Sequence, residues 1–161
     1  MNLSKLSSIE LLRLNSDTLL ELKKKGLIRT ANNPVADYAE WLVAEAFGYD
    51  LMANSFSSYD AIDRRSKKRY QVKSRRLKKD NKSNQLGVIR NLDKQGFDFL
   101  DAVIFNEDYS VKEAYRIPHN IINKYARYSE HQKGHILTLR KVLQDASIKD
   151  ITLNLKKLEK K

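Results

Sequence analysis

The sequence predicts an α/β fold of the α+β type, in which a central mixed sheet is flanked by helices. Apolar residues recur at helical spacing in residues 8–26 and 37–47, whereas residues 59–63 and 69–75 alternate with a period of two and residues 97–105 are typical of a buried strand. The chain has 161 residues, of which 41% are hydrophobic, and this is enough for one sizeable core but not for two. We therefore expect a single domain.

Two helices are expected in the first third of the chain. In residues 8–26, Ser16 can cap a leucine-rich run with helical spacing, and Gly26 is well placed to end it. The stretch DYAEWLVAEAF (37–47) consists of helix formers with a nearly continuous apolar surface, and Gly48 is a plausible stop. The first segment predicts a helical lead-in of one or two helices, and the second predicts a largely buried helix.

The middle of the chain predicts a hairpin, a helix and a second hairpin. The short alternating runs YDAID (59–63) and RYQVKSR (69–75) are separated by a polar stretch suited to a turn. A helix is expected over 84–95, and the runs FDFLDAVIF (97–105) and VKEAYRI (111–117) predict a buried strand and its partner. The residues expected to face inward from the helix are Leu86, Ile89 and Leu92, with Gly96 as its stop.

The C-terminal part is less clearly patterned. Pro118 can open a helix over 119–126, and HILTLR (135–140) is a candidate strand. Apolar spacing in DITLNLKKL (150–158) fits either a short helix or a strand.

The positive charge of the chain is concentrated in one segment. The formal net charge is +11, and residues 61–90 contribute twelve Lys or Arg against two Asp, which makes +10. Such a field attracts polyanions and gains affinity by releasing counterions from phosphates, so nucleic acid is the expected partner. A solvated lysine-rich surface is the alternative interpretation.

Composition excludes several other classes of protein and site. The chain has no cysteine, so any metal must be held by oxygen or imidazole ligands. Neither a signal peptide nor an apolar run near the roughly 20 residues of a membrane span is present. We expect a soluble cytoplasmic protein with no membrane association and no small-molecule cofactor.

Three polar residues are predicted to converge on the first hairpin. Because strand side chains alternate, Gln71 and Lys73 share one face of their strand. If residues 64–67 form the turn, Asp60 falls opposite Gln71 on that face. The alternatives are that Asp60 caps a turn and that the other two form the solvated face of an amphipathic strand.

This cluster suits the hydrolysis of phosphodiesters. Mg²⁺ prefers oxygen ligands, which the carboxylate of Asp60, the amide carbonyl of Gln71 and the main-chain carbonyl of Val72 can provide, and Mn²⁺ is expected to substitute. The ammonium of Lys73 can orient the attacking water and stabilise the charge that develops on phosphorus.

The order of these motifs resembles the PD-(D/E)XK nuclease superfamily over residues 34–117. A helix, YDAID, YQVKSRR, a further helix and FDFLDAVIF are similar to its restriction-endonuclease-like αβββαβ core. The resemblance implies that Asp60 is the central metal-binding aspartate and that Gln71 and Lys73 are the (D/E)-X-K pair, with glutamine in place of the acid as in the Mrr-like branch. It also implies that Glu40 is a catalytic, metal-binding acid supplied by the first helix.

The trio beside a basic segment favours a Mg²⁺-dependent DNA endonuclease, and because cutting both strands commonly needs two active sites, a homodimer is expected. The run RTANNPVADYAEWLVAEAFG is also similar to bacterial proteins assigned to restriction or defence. Residues 1–33 would then be the lead-in and residues 118–161 a C-terminal extension. The basic side chains expected to contact DNA phosphates are Arg64, Arg65, Arg75, Arg76, Lys78, Lys79 and Lys82. The alternatives are a DNA-binding module without activity, which the neutral Gln71 favours, and a basic RNA-associated protein.

Overall fold

The fold combines one large mixed sheet with short helices on both of its faces. A computed structural model describes residues 1–53 and 58–159. The helices are α1 (Ser8–Lys24), α2 (Val35–Phe47), α3 (His119–Tyr125), α4 (Leu139–Val142) and α5 (Thr152–Lys156). The strands are β1 (Asp50–Leu51), β2 (Ala61–Ile62), β3 (Arg69–Arg76), β4 (Phe99–Phe105), β5 (Val111–Pro118), β6 (Arg127–Ser129), β7 (Gly134–Ile136) and β8 (Lys149–Asp150).

Six of the strands among the described residues form the sheet, in the order β1-β2-β3-β4-β5-β8. Its one parallel pair is β3 with β4, and the other neighbours are antiparallel. Strands β6 and β7 form a separate hairpin. The prediction of a mixed sheet with flanking helices is confirmed.

Helix α1 is one continuous helix, where the sequence allowed one or two over residues 8–26. Ser7, and not Ser16, is its N-cap: the Ser7 hydroxyl accepts the Glu10 N–H while Glu10 accepts the Ser7 N–H, which completes a capping box. Ser16 lies inside the helix. A capping box satisfies two of the N–H groups that a helix start leaves free, so one helix continues through the position where a second start was expected.

Helix α2 matches the prediction closely. Its residues Ala39, Leu42 and Val43 are spaced to fall on one face and are buried against the sheet. Gly48 ends it in the left-handed conformation at φ +68°, which glycine adopts without steric penalty.

Two groups of buried side chains cover the two faces of the sheet. On one face, α2 and α5 pack on alternate residues of the strands, such as Val72 and Val103. On the other, α3, α4 and residues 86–97 pack on Leu100 and Ala102. Both groups include residues from the segment 118–161, which therefore completes both cores and does not merely extend them.

The helix predicted over 84–95 is wrong. Leu86, Ile89 and Leu92 are buried as expected, but Leu86 N–H bonds to Leu137 O at 2.9 Å, and Ile89 exchanges two hydrogen bonds of 2.8 Å with His135. The backbone thus finds partners in a distant segment and not within itself, and only a 3₁₀ turn (Leu92–Lys94) remains. The three apolar residues are spaced three apart, as they would be on one face of a helix, although the segment is irregular.

The C-terminal predictions are partly right. Helix α3 follows Pro118 as expected. The predicted strand 135–140 is split into the short β7 and α4. The ambiguous segment 150–158 forms the helix α5 directly after the two-residue β8. Across the described residues, no helix combines the length and apolar character needed to cross a membrane.

Candidate active site

Strand β3 places its polar and apolar side chains on opposite faces. Tyr70 and Val72 are buried, and Val72 packs in the group that includes α2. Gln71 and Lys73 alternate to the other face, where their register partners are Leu100 and Ala102 of β4. Leu100 and Ala102 make this face of the sheet apolar, and the amide of Gln71 and the ammonium of Lys73 interrupt it. Departures from the core pattern are found at functional or strained sites, which makes this face a candidate.

The hairpin register is the one that the sequence predicted. Ala61 pairs with Tyr70, and Asp63 N–H bonds to Lys68 O at 2.9 Å, so residues 64–67 form the turn. Continuing this register brings Asp60 beside Gln71.

Asp60 is held at this point by two donors from β3. Its Oδ2 accepts the side-chain N–H of Gln71 and, at 2.7 Å, the main-chain N–H of Val72. Burial raises the pKa of Asp60, against the opposing influence of the Val72 N–H, Lys73, Gln71 and Arg29. Both hydrogen bonds end on Oδ2, so neither uses the second carboxylate oxygen.

Gln71 turns the nitrogen of its amide, and not the oxygen, towards Asp60. This orientation follows from charge, since a carboxylate attracts an N–H donor and repels a carbonyl oxygen. A divalent cation between the two would reverse the preference, because both groups would then present oxygen to it. Ligation by Gln71 therefore requires its amide to rotate by half a turn.

Lys73 is the residue of the predicted trio with the fewest fixed contacts. Among the described residues it forms no ion pair within 4.0 Å. Burial lowers the pKa of Lys73, Asp60 raises it, and Arg90 lowers it further. Asp60, Gln71 and Lys73 are thus neighbours, as the sequence predicted.

Glu40 lies near the trio but is already paired. It projects from α2 and forms an ion pair with Arg29, whose other arm donates to Met52 O at 2.6 Å. Asp37, one turn before Glu40, accepts the main-chain N–H groups of Arg29 and Thr30 through one oxygen at 2.9 and 2.8 Å. The carboxylate expected to bind metal is therefore neutralised by a side chain of the same protein.

A cavity of about 230 Å³ connects Asp60 with the Glu40 side of the sheet. Three carboxylates and one guanidinium contribute to its wall, so charged groups of both signs line it. Its lining residues are Arg29, Thr30, Asp37, Glu40, Met52, Ala53 and Asp60.

The predicted DNA-contacting residues lie at both ends of β3. Arg64 and Arg65 are exposed in the turn before the strand, and Arg64 pairs with Asp50. At the other end of the strand, Arg75 donates to Asn81 at 3.2 Å. The remaining ones are Arg76, which stacks over Tyr109 at 4.3 Å, and the exposed Lys78, Lys79 and Lys82.

The sequence prediction missed Arg29 and Arg90. Arg29 is the only Lys or Arg between Gly26 and Asp63, and Asp37 and Glu40 share a helix face at a spacing of three. An acidic pair with a single basic residue nearby in the sequence was a signal from which the ion pair of Arg29 could have been predicted. Arg90 could not have been found, since its position depends on the irregular path of residues 86–92.

The metal ligands of this site would have to include more than acidic side chains. Within residues 1–53 and 58–159, no three His, Cys, Asp or Glu side chains are grouped closely enough to hold a metal ion by themselves. Amide and main-chain oxygens would be needed as well.

No known family model matches the sequence, and a comparison with curated proteins finds no match either.

Proposed function

We propose that this protein is a metal-dependent endonuclease that hydrolyses phosphodiester bonds in DNA, in a restriction or defence role. The observation that carries the proposal is the meeting of Asp60, Gln71 and Lys73 on one face of a strand whose two ends carry exposed basic side chains. An acid, an amide and an ammonium in one place supply cation ligands and a charge for the reacting phosphate.

The topology supports the resemblance to the PD-(D/E)XK superfamily in part. Helix α2 is followed by the antiparallel strands β1, β2 and β3, and β4 then runs parallel to β3. The departure is the crossover between β3 and β4, which is irregular where the superfamily core has a helix. An αβββαβ core therefore remains part of the proposal.

The donor atoms of the site suit Mg²⁺, with Mn²⁺ as a substitute. Asp60, Glu40 and Gln71 would hold the ion, and all three offer oxygen, the ligand that hard cations prefer. Their fit depends on two rearrangements, the rotation of the Gln71 amide and the release of Glu40 from Arg29. When bound, such an ion withdraws electrons from the phosphoryl oxygen and makes the attacking water more acidic.

Lys73 contributes a positive charge that the protein keeps close to the reacting phosphate. Burial removes the water that would otherwise screen its ammonium, so its attraction for an anion is strengthened. The ammonium can hold the attacking water by a hydrogen bond and stabilise negative charge on the phosphoryl oxygens. Asp60 maintains the charged form of Lys73 against the effect of burial.

The basic ends of β3 would position the nucleic acid across the site. Gln71 and Arg76 are five residues apart, which is about 17 Å along a strand and comparable to several phosphate spacings. Contacts with phosphate fix orientation without reading sequence. Cleavage of both strands would need two sites, so we propose a homodimer.

The proposal is tested by incubating the protein with plasmid DNA and Mg²⁺. Asp60→Ala and Lys73→Ala should each slow cleavage by at least about a hundredfold, since each removes a group that stabilises the transition state. Lys112→Ala, a change of the same kind at an exposed position on β5, should have no effect. Absence of cleavage by the native protein, or equal rates for all variants, would refute the proposal.

A second candidate function is a DNA-binding module without activity, which the neutral Gln71 and its amide orientation favour. This candidate predicts DNA affinity that falls steeply with salt and no turnover. Gln71→Glu distinguishes the two candidates. In an active site the added carboxylate should raise the affinity for the cation and keep cleavage metal-dependent, whereas an inactive module should show no metal-dependent cleavage with either residue.

A further inference from the structure

The wall of the cavity beside Asp60 already includes a cation, the guanidinium of Arg29. Its two terminal nitrogens bind Glu40 and the Met52 carbonyl, and the side chain keeps 29% of its surface exposed against 13% for Glu40. Arg29 also influences Asp60 electrostatically. A positive charge thus lies against Glu40 and lines the same cavity as Asp60.

We propose that Arg29 is an internal counter-cation that neutralises Glu40 while no metal is bound. A divalent cation then binds Asp60 and Glu40 together only when the guanidinium of Arg29 moves away from Glu40. The inference rests on the proposed function, since it concerns the same metal site. Its physical basis is competition: Arg29 and the metal are both positive and require the same oxygens.

The contacts of Arg29 are those of a residue that can be displaced. Its Nε is buried, has no hydrogen-bond partner among residues 1–53 and 58–159, and lies 3.9 Å from Asp37. A buried donor without a partner costs free energy, so this arrangement is not the best that the group could adopt. Arg116, by contrast, uses Nε and both terminal nitrogens in hydrogen bonds of 2.7 to 3.0 Å.

A role for Arg29 as a ready-made phosphate ligand agrees less well with these contacts. Both terminal nitrogens already donate to protein oxygens, so a phosphate would also require their release. Moreover, loss of a phosphate ligand would weaken DNA binding, whereas loss of a competing cation would strengthen metal binding. The two roles therefore predict opposite results for the same substitution.

The test is a titration of the full-length protein with Mn²⁺, followed by water proton relaxation, without DNA. Arg29→Gln should bind Mn²⁺ about tenfold more tightly than the native protein, because a neighbouring like charge is removed. The matched control Arg65→Gln removes one charge from an exposed turn and should change the affinity far less. Equal or weaker binding by Arg29→Gln overturns the inference.

A second measurement does not depend on the stability of any variant. In the native protein labelled with ¹⁵N-arginine, saturating Mg²⁺ should shift the Nε–H resonance of Arg29 and leave that of Arg116 in place. An unmoved Arg29 resonance overturns the inference. This result would hold even if Arg29→Gln failed to fold.

Asp60→Ala separates failure of this inference from failure of the proposed function. If Asp60→Ala abolishes Mn²⁺ binding while Arg29→Gln leaves it unchanged, the metal site stands and the role of Arg29 is refuted. If Mn²⁺ binding persists in Asp60→Ala, or if neither the native protein nor Arg29→Gln binds the ion, both proposals are refuted.

Discussion

Two aspartates on adjacent regions of the sheet differ in how completely their charge is paired. Asp101 of β4 is fully buried, and Arg116 from the next strand donates to both of its oxygens, at 2.8 and 2.7 Å. The guanidinium is enclosed by aromatic rings, with Phe47 at 4.3 Å and Tyr70 at 4.5 Å. Every charge in this cluster is matched within the protein.

Asp60 lies at the edge of a cavity and is only partly matched. Its two hydrogen bonds share one oxygen, and the neighbouring Lys73 has no ion pair within 4.0 Å among the described residues. A closed ion pair contributes to structure, whereas incompletely matched charges around a cavity are suited to a ligand. This difference separates the candidate site from the core on physical grounds.

The largest expected effect is the loss of the closed pair. Arg116→Ala leaves Asp101 as an uncompensated buried charge, which should lower the free energy of unfolding by about 3 to 5 kcal/mol. Chemical denaturation measures the change.

Arg69→Ala is the matched control for this prediction. Arg69 bonds to Asp98 at 3.2 Å, but the two side chains are 37% and 28% exposed. Its loss should therefore cost no more than about 1 kcal/mol. A similar cost for the two variants would show that Arg116 does not stabilise the fold through a buried pair.

The next effect concerns the exposed lysines that follow β3 and the salt dependence of DNA affinity. Replacing Lys78, Lys79 and Lys82 together by glutamine should reduce the slope of log affinity for DNA against log salt by about three, since each lysine neutralises one phosphate. Fluorescence anisotropy at several salt concentrations measures the slope. The same replacement of Lys23, Lys24 and Lys25, at the end of α1, should leave it nearly unchanged, and an equal loss from both triplets would argue against a defined DNA-binding face.

The smallest effect is a gain in stability at the candidate site. Because burial raises the pKa of Asp60, keeping it ionised costs stability, and Asp60→Asn should make the protein more stable at neutral pH. The introduced amide can still accept the Val72 N–H. The gain should grow as pH rises above about 4, the ordinary pKa of aspartate, and level off above the raised pKa of folded Asp60. It should vanish at about pH 3, where the acid is protonated in both folded and unfolded states. Thermal melting from pH 3 to 8 measures it, and a loss of stability at pH 7 would contradict the assignment.

The candidate trio could be predicted because it depends on local rules. Alternation along β3 and a four-residue turn are enough to place Asp60, Gln71 and Lys73 together, and both are read directly from neighbouring residues. The burial and termination of α2 followed from composition and from Gly48 in the same way.

What the sequence did not reveal depends on contacts between distant segments. The predicted helix 84–95 fails because Ile89 pairs with His135, 46 residues later. Gly134 permits this approach, since a β-carbon there would lie 2.5 Å from Val88. The Arg29–Glu40 pair likewise crosses from a loop to a helix. No local period encodes either contact, although the isolated basic residue near two acids was a hint.

The most direct test of the candidate site is a crystal of the protein soaked in Mn²⁺ and measured by anomalous scattering. We expect a single strong peak beside the carboxylate of Asp60, with the amide of Gln71 rotated so that its oxygen faces the ion. A soaked crystal without a peak at Asp60, and with Gln71 still donating its N–H to that carboxylate, would contradict the assignment of this cluster as a cation-dependent hydrolytic site.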